Sequence, residues 1–364
     1  MRVAIVHDYL NQYGGAEKVV EVLHEAFPDA PIYTSFYLAA YMDKAGFKVN
    51  THIYPSWMQK LPFKEKIYKA YFLFYPPTFS RLKLPDFDVV ISSSSFAAHH
   101  INPLGIHVAY IHTPPRYLYG YDTELDHAKI KKFAPFMPLI YKLMRGWDKK
   151  AFSRINFIVA NSKEVQKRIK KHFGRDSTVI YPPVDTEGFR NVKREPGGYF
   201  FTWGRLVPHK RVDIIIQACN ILNVPLKIAG GGLAEKSLRK LAGPKTTFLG
   251  EVSAEQLKEL LSGATAFLFA ADEDFGITPV EANAAGCPVI AYKGGGALET
   301  IVEGKTGLFF ERQTPDSLAN TIKKFKPDNF DVKIMRAQAS KFSKEEFKKR
   351  IRFFVEEVYE KRKK

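Results

Sequence analysis

The stretch that most limits what this chain can fold into runs from residue 264 to residue 291. Residues 264–271 are an apolar run with no polar alternation, bounded by turn-forming residues, which reads as a strand buried on both faces. An acidic turn follows, Asp272-Glu273-Asp274, and then a helix. The sequence predicts Thr278 as its N-cap, Pro279 as its first helical residue and Glu281 three residues past the cap. A buried strand feeding a helix through a tight turn is the repeating unit of a parallel sheet, so the expected class is α/β. The backbone N–H groups at such a turn carry partial positive charge and suit an anion. Glu273 and Glu281 flank them, and carboxylates accept hydrogen bonds from hydroxyls. Phosphate donors between two hydroxyl-binding acids fit a nucleotide sugar. The same residues also fit a capping box, in which Thr278 and Glu281 satisfy only the helix end.

The strand–turn–helix unit recurs along the chain. Residues 3–7 lead through Asn11-Gln12-Tyr13-Gly14-Gly15-Ala16-Glu17 into an amphipathic helix bearing Val19, Val20, Leu23 and Phe27, the opening of a doubly wound domain. Strands are expected at 87–92, ending in four serines, and at 108–112, ending in His112-Thr113-Pro114-Pro115-Arg116-Tyr117. A further strand, 157–160, precedes Asn161-Ser162-Lys163. Ligands of open α/β sheets sit beyond the carboxyl ends of the strands, which places His112 well. Tyr181-Pro182-Pro183 and the basic loop 190–198 read as a linker, with the domain boundary near residue 190. The pattern then restarts: residues 199–203 as strand, then Gly204-Arg205-Leu206-Val207-Pro208-His209-Lys210 entering a helix. Arginine and lysine five apart beside a strand-end glycine make a polyanion clamp, the one gripping as a fork and the other as a point charge. Strands at 226–229, 247–249 and 288–292 lead into further glycine-rich turns, and residues 344–361 form a closing helix with Phe347, Ile351, Phe354, Val355 and Val358 on one face.

The run Glu-Asp-Phe-Gly-Ile-Thr-Pro-Val-Glu-Ala from residue 273, with Ala-Ala-Gly-Cys-Pro-Val-Ile-Ala after it, resembles the E-x7-E signature of the retaining glycosyltransferases of family 4. The mannosyltransferase branch that builds O-antigen and related surface glycans is the most similar. His-Thr-Pro at 112–114, Ala-Asn-Ser at 160–162 and Gly-Arg-Leu at 204–206 with Lys210 carry the same resemblance. It implies a GT-B architecture, two Rossmann-like domains facing across a cleft, with a terminal helix crossing back: residues 1–190, 191–343 and 344–364. It implies Arg205 and Lys210 as diphosphate ligands beside Gly204, with Gly14 and Gly15 near the same group. Glu273 would hold the sugar, aided by the N–H groups of Phe275, Gly276, Ile277 and Thr278, and Glu281 the ribose diol. Val252 would meet the base and His112 the donor sugar; Arg116 and Tyr117 are candidates to face the acceptor. The expected catalytic set is His112, Arg205, Lys210 and Glu273. No metal or other cofactor is implied, since basic residues take the place of an ion; Asp86-x-Asp88 precedes a buried strand and reads as a turn. The donor implied is GDP-mannose and the acceptor a lipid-linked glycan. A UDP sugar is the alternative, and a nucleotide-sugar epimerase of related fold a further one.

The formal charge of +17 suggests an anionic partner. Residues 57–83 combine Trp57, Phe63, Ile67, Tyr71 and Phe74 with Lys60, Lys64, Lys66 and Lys69; residues 129–154 set Phe133, Phe136, Leu139, Leu143 and Trp147 among eight basic residues and one acid. Basic, aromatic and amphipathic segments suit an anionic membrane surface. A core helix with a basic outer face fits either segment equally well. The charge also raises a nucleic-acid-binding protein as the alternative of a different class, but no RNA-recognition or helix-turn-helix signature accompanies it, so no nucleic-acid partner is expected. No apolar run approaches the ~20 residues of a membrane span, the start lacks a signal peptide, and Cys219 and Cys287 are too few for a disulfide framework. The expected location is cytoplasmic, peripheral on the inner face of the membrane.

Overall fold

The structure is a computed structural model that describes residues 1–12, 14–39, 51–121 and 137–363. Tyr13 and residues 129–136 of the second basic segment lie outside the described residues. The chain divides into two compact units, Met1–Pro183 with Phe347–Lys364, and Val184–Glu346.

The first unit holds a seven-stranded sheet: β1 (Val3–His7), β2 (Ile32–Thr34), β3 (Ile53–Pro55), β4 (Val89–Ser94), β5 (Ile106–Ile111), β6 (Phe157–Ala160) and β7 (Thr178–Val179). Its order is β3-β2-β1-β4-β5-β6-β7, every pairing parallel. Parallel strands must be covered on both faces, and β1, β4 and β5 are accordingly buried throughout. The C-terminal helix Lys344–Lys363 supplies part of the cover. Phe347, Ile351, Val355 and Val358 recur at helical spacing and join the core of β1, β4 and β5, with Phe347 edge-on to Tyr110 at 5.8 Å. Full burial of each such side chain is worth roughly 1.5–3 kcal/mol.

The second unit holds a six-stranded parallel sheet: β8 (Tyr199–Trp203), β9 (Leu226–Ala229), β10 (Thr246–Gly250), β11 (Ala264–Phe269), β12 (Val289–Tyr292) and β13 (Gly307–Phe310), in the order β10-β9-β8-β11-β12-β13. Each sheet grows outward in both directions from its first strand. Both units are thus Rossmann-like, and the carboxyl ends flanking that first strand are where ligands bind in such sheets.

The chain changes unit between Pro183 and Val184, ahead of residue 190. Val184 bridges Ser343, and its N–H donates to the Phe342 carbonyl at 2.8 Å. The basic loop 190–198 is fastened to the second unit: the Arg194 guanidinium donates to the carbonyls of Leu261, Ser262 and Ala264.

Residues 57–83 form short turns instead of one long helix: Trp57–Lys60, Lys64–Ile67, Tyr68–Tyr71 and Tyr75–Ser80. Pro62, Pro76 and Pro77 lack the N–H groups a continuous ladder needs. Met58, Tyr75 and Phe79 turn inward, while Trp57, Phe63, Ile67 and Phe74 stay exposed. Asp86 and Asp88 secure the start of β1: Asp88 accepts from the Arg2 N–H, and Asp86 lies 3.8 Å from the Arg2 guanidinium. Among the described residues no helix is long and apolar enough to cross a membrane.

Candidate functional site

In the second unit β8 and β11 are neighbours, so the loops after them meet although far apart in sequence. Arg205 follows β8, Lys210 ends the short turn Pro208–Lys210, and Glu273 follows β11. Lys210 Nζ donates to Glu273 Oε1, an ion pair with each side chain about one-fifth exposed. Gly204, Arg205, Lys210 and Thr278 line one recess, with Trp203 and Phe269 as its apolar wall. Arg205 is exposed, whereas Glu281 is buried inside the helix Ile277–Ala284.

The predicted start of that helix is corrected. Gly276, not Thr278, is the N-cap, with φ at +83°, and Thr278 lies inside the first turn. A left-handed residue turns the chain at once from loop to helix, and only glycine takes that conformation without cost. The helix therefore begins earlier than the proline suggests, the N–H groups of Ile277 and Thr278 belong to its unsatisfied first turn, and Thr278 and Glu281 do not form a capping box. Val252 lies in the turn after β10 at the same edge of the sheet, just before Ser253, which caps the next helix.

Two triglycine turns, noted in the sequence only as strand ends, shape these loops. A Cβ on Gly230 would come within 2.0 Å of the Gly204 carbonyl oxygen, and one on Gly232 within 2.5 Å of that of Leu206. A Cβ on Gly296 would lie 2.2 Å from Phe275 Cα, and the Gly296 N–H donates to the Glu273 carbonyl at 2.8 Å. The turn after β9 thus supports the Arg205 loop from beneath, and the turn after β12 does so for the Glu273 loop. Three glycines in a row after a strand are the signal that could have marked both.

The remaining predicted residues belong to the first unit. Gly14 precedes the helix Gly15–Ala26, its N–H donating to Glu17 Oε2 at 3.2 Å. His112 follows β5 and is buried, with Nε2 2.8 Å from Ser93 Oγ. Burial, with His7 beside it, lowers its pKa to about 3, so the imidazole is neutral near pH 7. Arg116 and Tyr117 open the helix Arg116–Tyr119, where the Tyr117 ring lies 5.3 Å from Phe96 and 5.9 Å from Tyr141.

Several polar contacts here gave no local sequence signal, because most of them join segments that only the fold brings together. The Asp8 carboxylate accepts four backbone N–H groups: Ser95 and Phe96 donate to Oδ2 at 2.6 and 2.9 Å, Ala97 and Ala98 to Oδ1 at 2.7 and 2.6 Å. This ties the end of β1 to the turn after β4. Ser92 pairs with His107 at 2.8 Å and Ser94 with His99 at 2.8 Å. His99 Nε2 and His100 Nε2 lie 2.6 and 3.4 Å from Asp148 Oδ1, and the Tyr119 hydroxyl donates to Oδ2 at 2.7 Å. That buried group pins the helix Met137–Arg154 to the sheet. Burial pushes the thiols up to about 12 at Cys219 and about 11 at Cys287, leaving both protonated and unreactive.

With this geometry in view, residues 13–188 match Glycosyltransferase Family 4 and residues 183–346 match Glycosyl transferases group 1. The chain belongs to the family 4 glycosyltransferases. An uncharacterized glycosyltransferase of Methanocaldococcus jannaschii is 26% identical over 221 residues, 59% of this chain and 62% of that protein. A GDP-mannose-dependent alpha-(1-6)-phosphatidylinositol monomannoside mannosyltransferase of Mycobacterium tuberculosis is 32% identical over 192 residues, 44% of this chain and 50% of that one. The matches thus span half to three-fifths of these relatives' length. In fold, the chain is similar over 98% of its length to HepE of Anabaena, solved with UDP, at a TM-score of 0.69 and 17% identity, and the match covers 100% of that chain. Sucrose-phosphate synthase of Thermosynechococcus elongatus also gives a TM-score of 0.69, at 14% identity and 99% coverage of both chains. Both are likenesses of the GT-B fold.

Proposed function

We propose that the chain is a retaining glycosyltransferase that moves mannose from GDP-mannose to a lipid-linked glycan at an anionic membrane surface. The observation that carries the donor half is the Lys210–Glu273 pair beside Arg205. A cation suited to a diphosphate and a carboxylate suited to sugar hydroxyls stand in contact, with a second cation lining the same recess, at the strand ends where α/β sheets bind ligands. In the reaction the bond from the anomeric carbon to the diphosphate breaks. Arg205, Lys210 and the helix N–H groups stabilise the charge that develops on the leaving group. Glu273 holds the sugar hydroxyls and Glu281 the ribose diol. The acceptor hydroxyl attacks from the face the diphosphate leaves, and the departing phosphate takes its proton. Lys210 and Arg205 serve where other enzymes use an ion, so the reaction needs no metal. The neutral His112 acts as a hydrogen-bond donor to the donor sugar, and Arg116 and Tyr117 face the acceptor.

Mannose is favoured by the mycobacterial relative, whose donor is GDP-mannose. A UDP sugar is the second reading, favoured by the UDP in the HepE structure. Membrane contact is supported by the first unit's surface. Leu139, Leu143 and Trp147 recur every fourth residue, all exposed, while Met144, Asp148, Ala151 and Phe152 bury another face of the same helix. Phe63, 71% exposed, stands among Lys60, Lys64 and Lys66. A thermal-shift panel of nucleoside diphosphates and nucleotide sugars tests the donor, and NMR of the product's anomeric configuration tests retention. GDP-mannose should stabilise the chain more than UDP sugars do; no shift with any nucleotide would refute the reading. Flotation with anionic vesicles at low salt tests the surface: the chain should float with them, and its absence from the vesicle layer would remove membrane contact.

A further inference from the structure

The first unit contains a hydrogen-bonded chain in which the direction of each bond can be worked out. It runs from His7, the last residue of β1, through Ser93 on β4 to His112 after β5. His7 Nδ1 lies 2.9 Å from the Ser93 backbone carbonyl oxygen and 3.1 Å from Ser93 Oγ; Oγ lies 2.8 Å from His112 Nε2. Ser93 is fully buried, and the two imidazoles are 2% and 8% exposed.

A carbonyl oxygen can only accept, so His7 Nδ1 must carry hydrogen. That N–H points at the carbonyl and the hydroxyl of Ser93 together, and Oγ is therefore an acceptor toward His7. The Ser93 O–H then needs an acceptor of its own, because a buried hydroxyl left without one costs free energy. Among the described residues the acceptor within reach of Oγ is His112 Nε2. A nitrogen that accepts is unprotonated, so a neutral His112 carries its hydrogen on Nδ1. His112 is held on two further sides: its backbone N–H donates to the Ser94 carbonyl at 2.9 Å, and the Tyr110 and His7 rings stand edge-on to it at 5.2 and 6.4 Å.

We propose that Ser93, oriented by His7, is a positioning residue that fixes His112 in the Nδ1–H tautomer, so that the ring offers a bound sugar a single aimed N–H donor. The ligand group this suits is an acceptor, a hydroxyl or ring oxygen of a neutral sugar. It rests on the proposed function for the identity of that ligand, whereas the tautomer stands on the hydrogen bonds alone. A fixed tautomer means that no ring rearrangement is needed when the sugar arrives. His7 and Ser93 would not touch substrate.

The test is long-range proton–nitrogen NMR on the full chain labelled at histidine, with His112 assigned by comparison with H112N. The wild-type chain should show His112 protonated at Nδ1 and not at Nε2. In Ser93→Ala that resonance should move toward a mixture of tautomers; in Ser93→Thr, which keeps the hydroxyl, it should not. Turnover should follow: Ser93→Ala should lose about tenfold in kcat, the equivalent of one net hydrogen bond, with the threonine variant within about threefold of wild type. A wild-type His112 protonated at Nε2, or a tautomer unmoved in Ser93→Ala, overturns the proposal, and the wild-type spectrum alone decides the first point should the variant misfold. The expected tautomer in a chain that binds no nucleotide sugar would uphold the relay and overturn the reading of function.

Discussion

The two units build the carboxyl ends of nearly the same sheet with opposite chemistry. In the first, β4 ends in serines that pair with buried imidazoles: Ser92 with His107 and Ser93 with His112, both held neutral near pH 7 by burial, and Ser94 with His99. In the second, the corresponding strands end in glycine turns, and the polar groups are charged and partly exposed, Lys210 against Glu273 with Arg205 beside them. All ten histidines but His209 precede Val184. Burying a hydroxyl–imidazole pair is tolerable because both partners are neutral and satisfied. Burying an unpaired cation is not, so Lys210 keeps a carboxylate partner and Arg205 stays exposed. The same fold thus carries hydroxyl–imidazole pairs in one half and a cation–carboxylate pair in the other.

The contrast breaks most sharply at Lys210. Lys210→Ala should lower nucleotide-sugar turnover on the order of a thousandfold with the melting curve little changed, because it removes charge at the leaving group without disturbing the core. Initial rates beside a thermal melt measure both; turnover within about threefold of wild type would remove the site from the second unit. Glu273→Gln should cost about a hundredfold in turnover yet leave binding of the bare nucleoside diphosphate as strong or stronger, because Lys210 is released from its ion pair. Calorimetric titration separates the two effects. Gly296→Ala sharpens the role of the glycine turns: its Cβ would collide with the Phe275 backbone, so stability should fall by about 1–3 kcal/mol in guanidinium unfolding, with turnover reduced by displacement of the Glu273 loop.

The smallest effect concerns acid. Burial lowers His107 to about 3, and burial with His7 does the same at His112, against an ordinary 6.5. Between those values the unfolded chain binds protons that the folded chain does not, so stability is fully present above pH 6.5 and lost as pH falls toward 3. Amide hydrogen exchange at pH 7 and pH 5 should show protection falling in the first unit and little changed in the second. His107→Asn should flatten the first unit's dependence. Equal acid loss in both units would erase the contrast.

Much of the second unit was legible because its signals are local. Glycine, arginine and lysine within seven residues, and two glutamates separated by seven, mark the Lys210 and Glu273 loops before any strand pairing is known. Strands β8 and β9 fall at the residues the apolar runs indicate. The true helix start at Gly276 was hidden because a proline two residues after Ile277 imitates a first turn, whereas the deciding feature is a backbone angle. In the first unit β1, β4, β5 and β6 were legible to within two residues, whereas β2, β3 and β7, of two or three residues each, are too short for a pattern. What could not be read were its polar pairs. Ser93 lies on β4 and His112 just past the end of the neighbouring β5, and Asp8 holds a turn 87 residues further on, so these contacts exist only once the register is fixed.

The most direct test of the central claim, that Lys210 and Glu273 act on one bound nucleotide sugar, is a double-mutant cycle on kcat/KM with Lys210→Ala, Glu273→Gln and the pair combined. Residues that share a ligand and touch each other are coupled, so the double variant should lose little more than Lys210→Ala alone. Losses that simply multiply, as they would for separate sites, would contradict it.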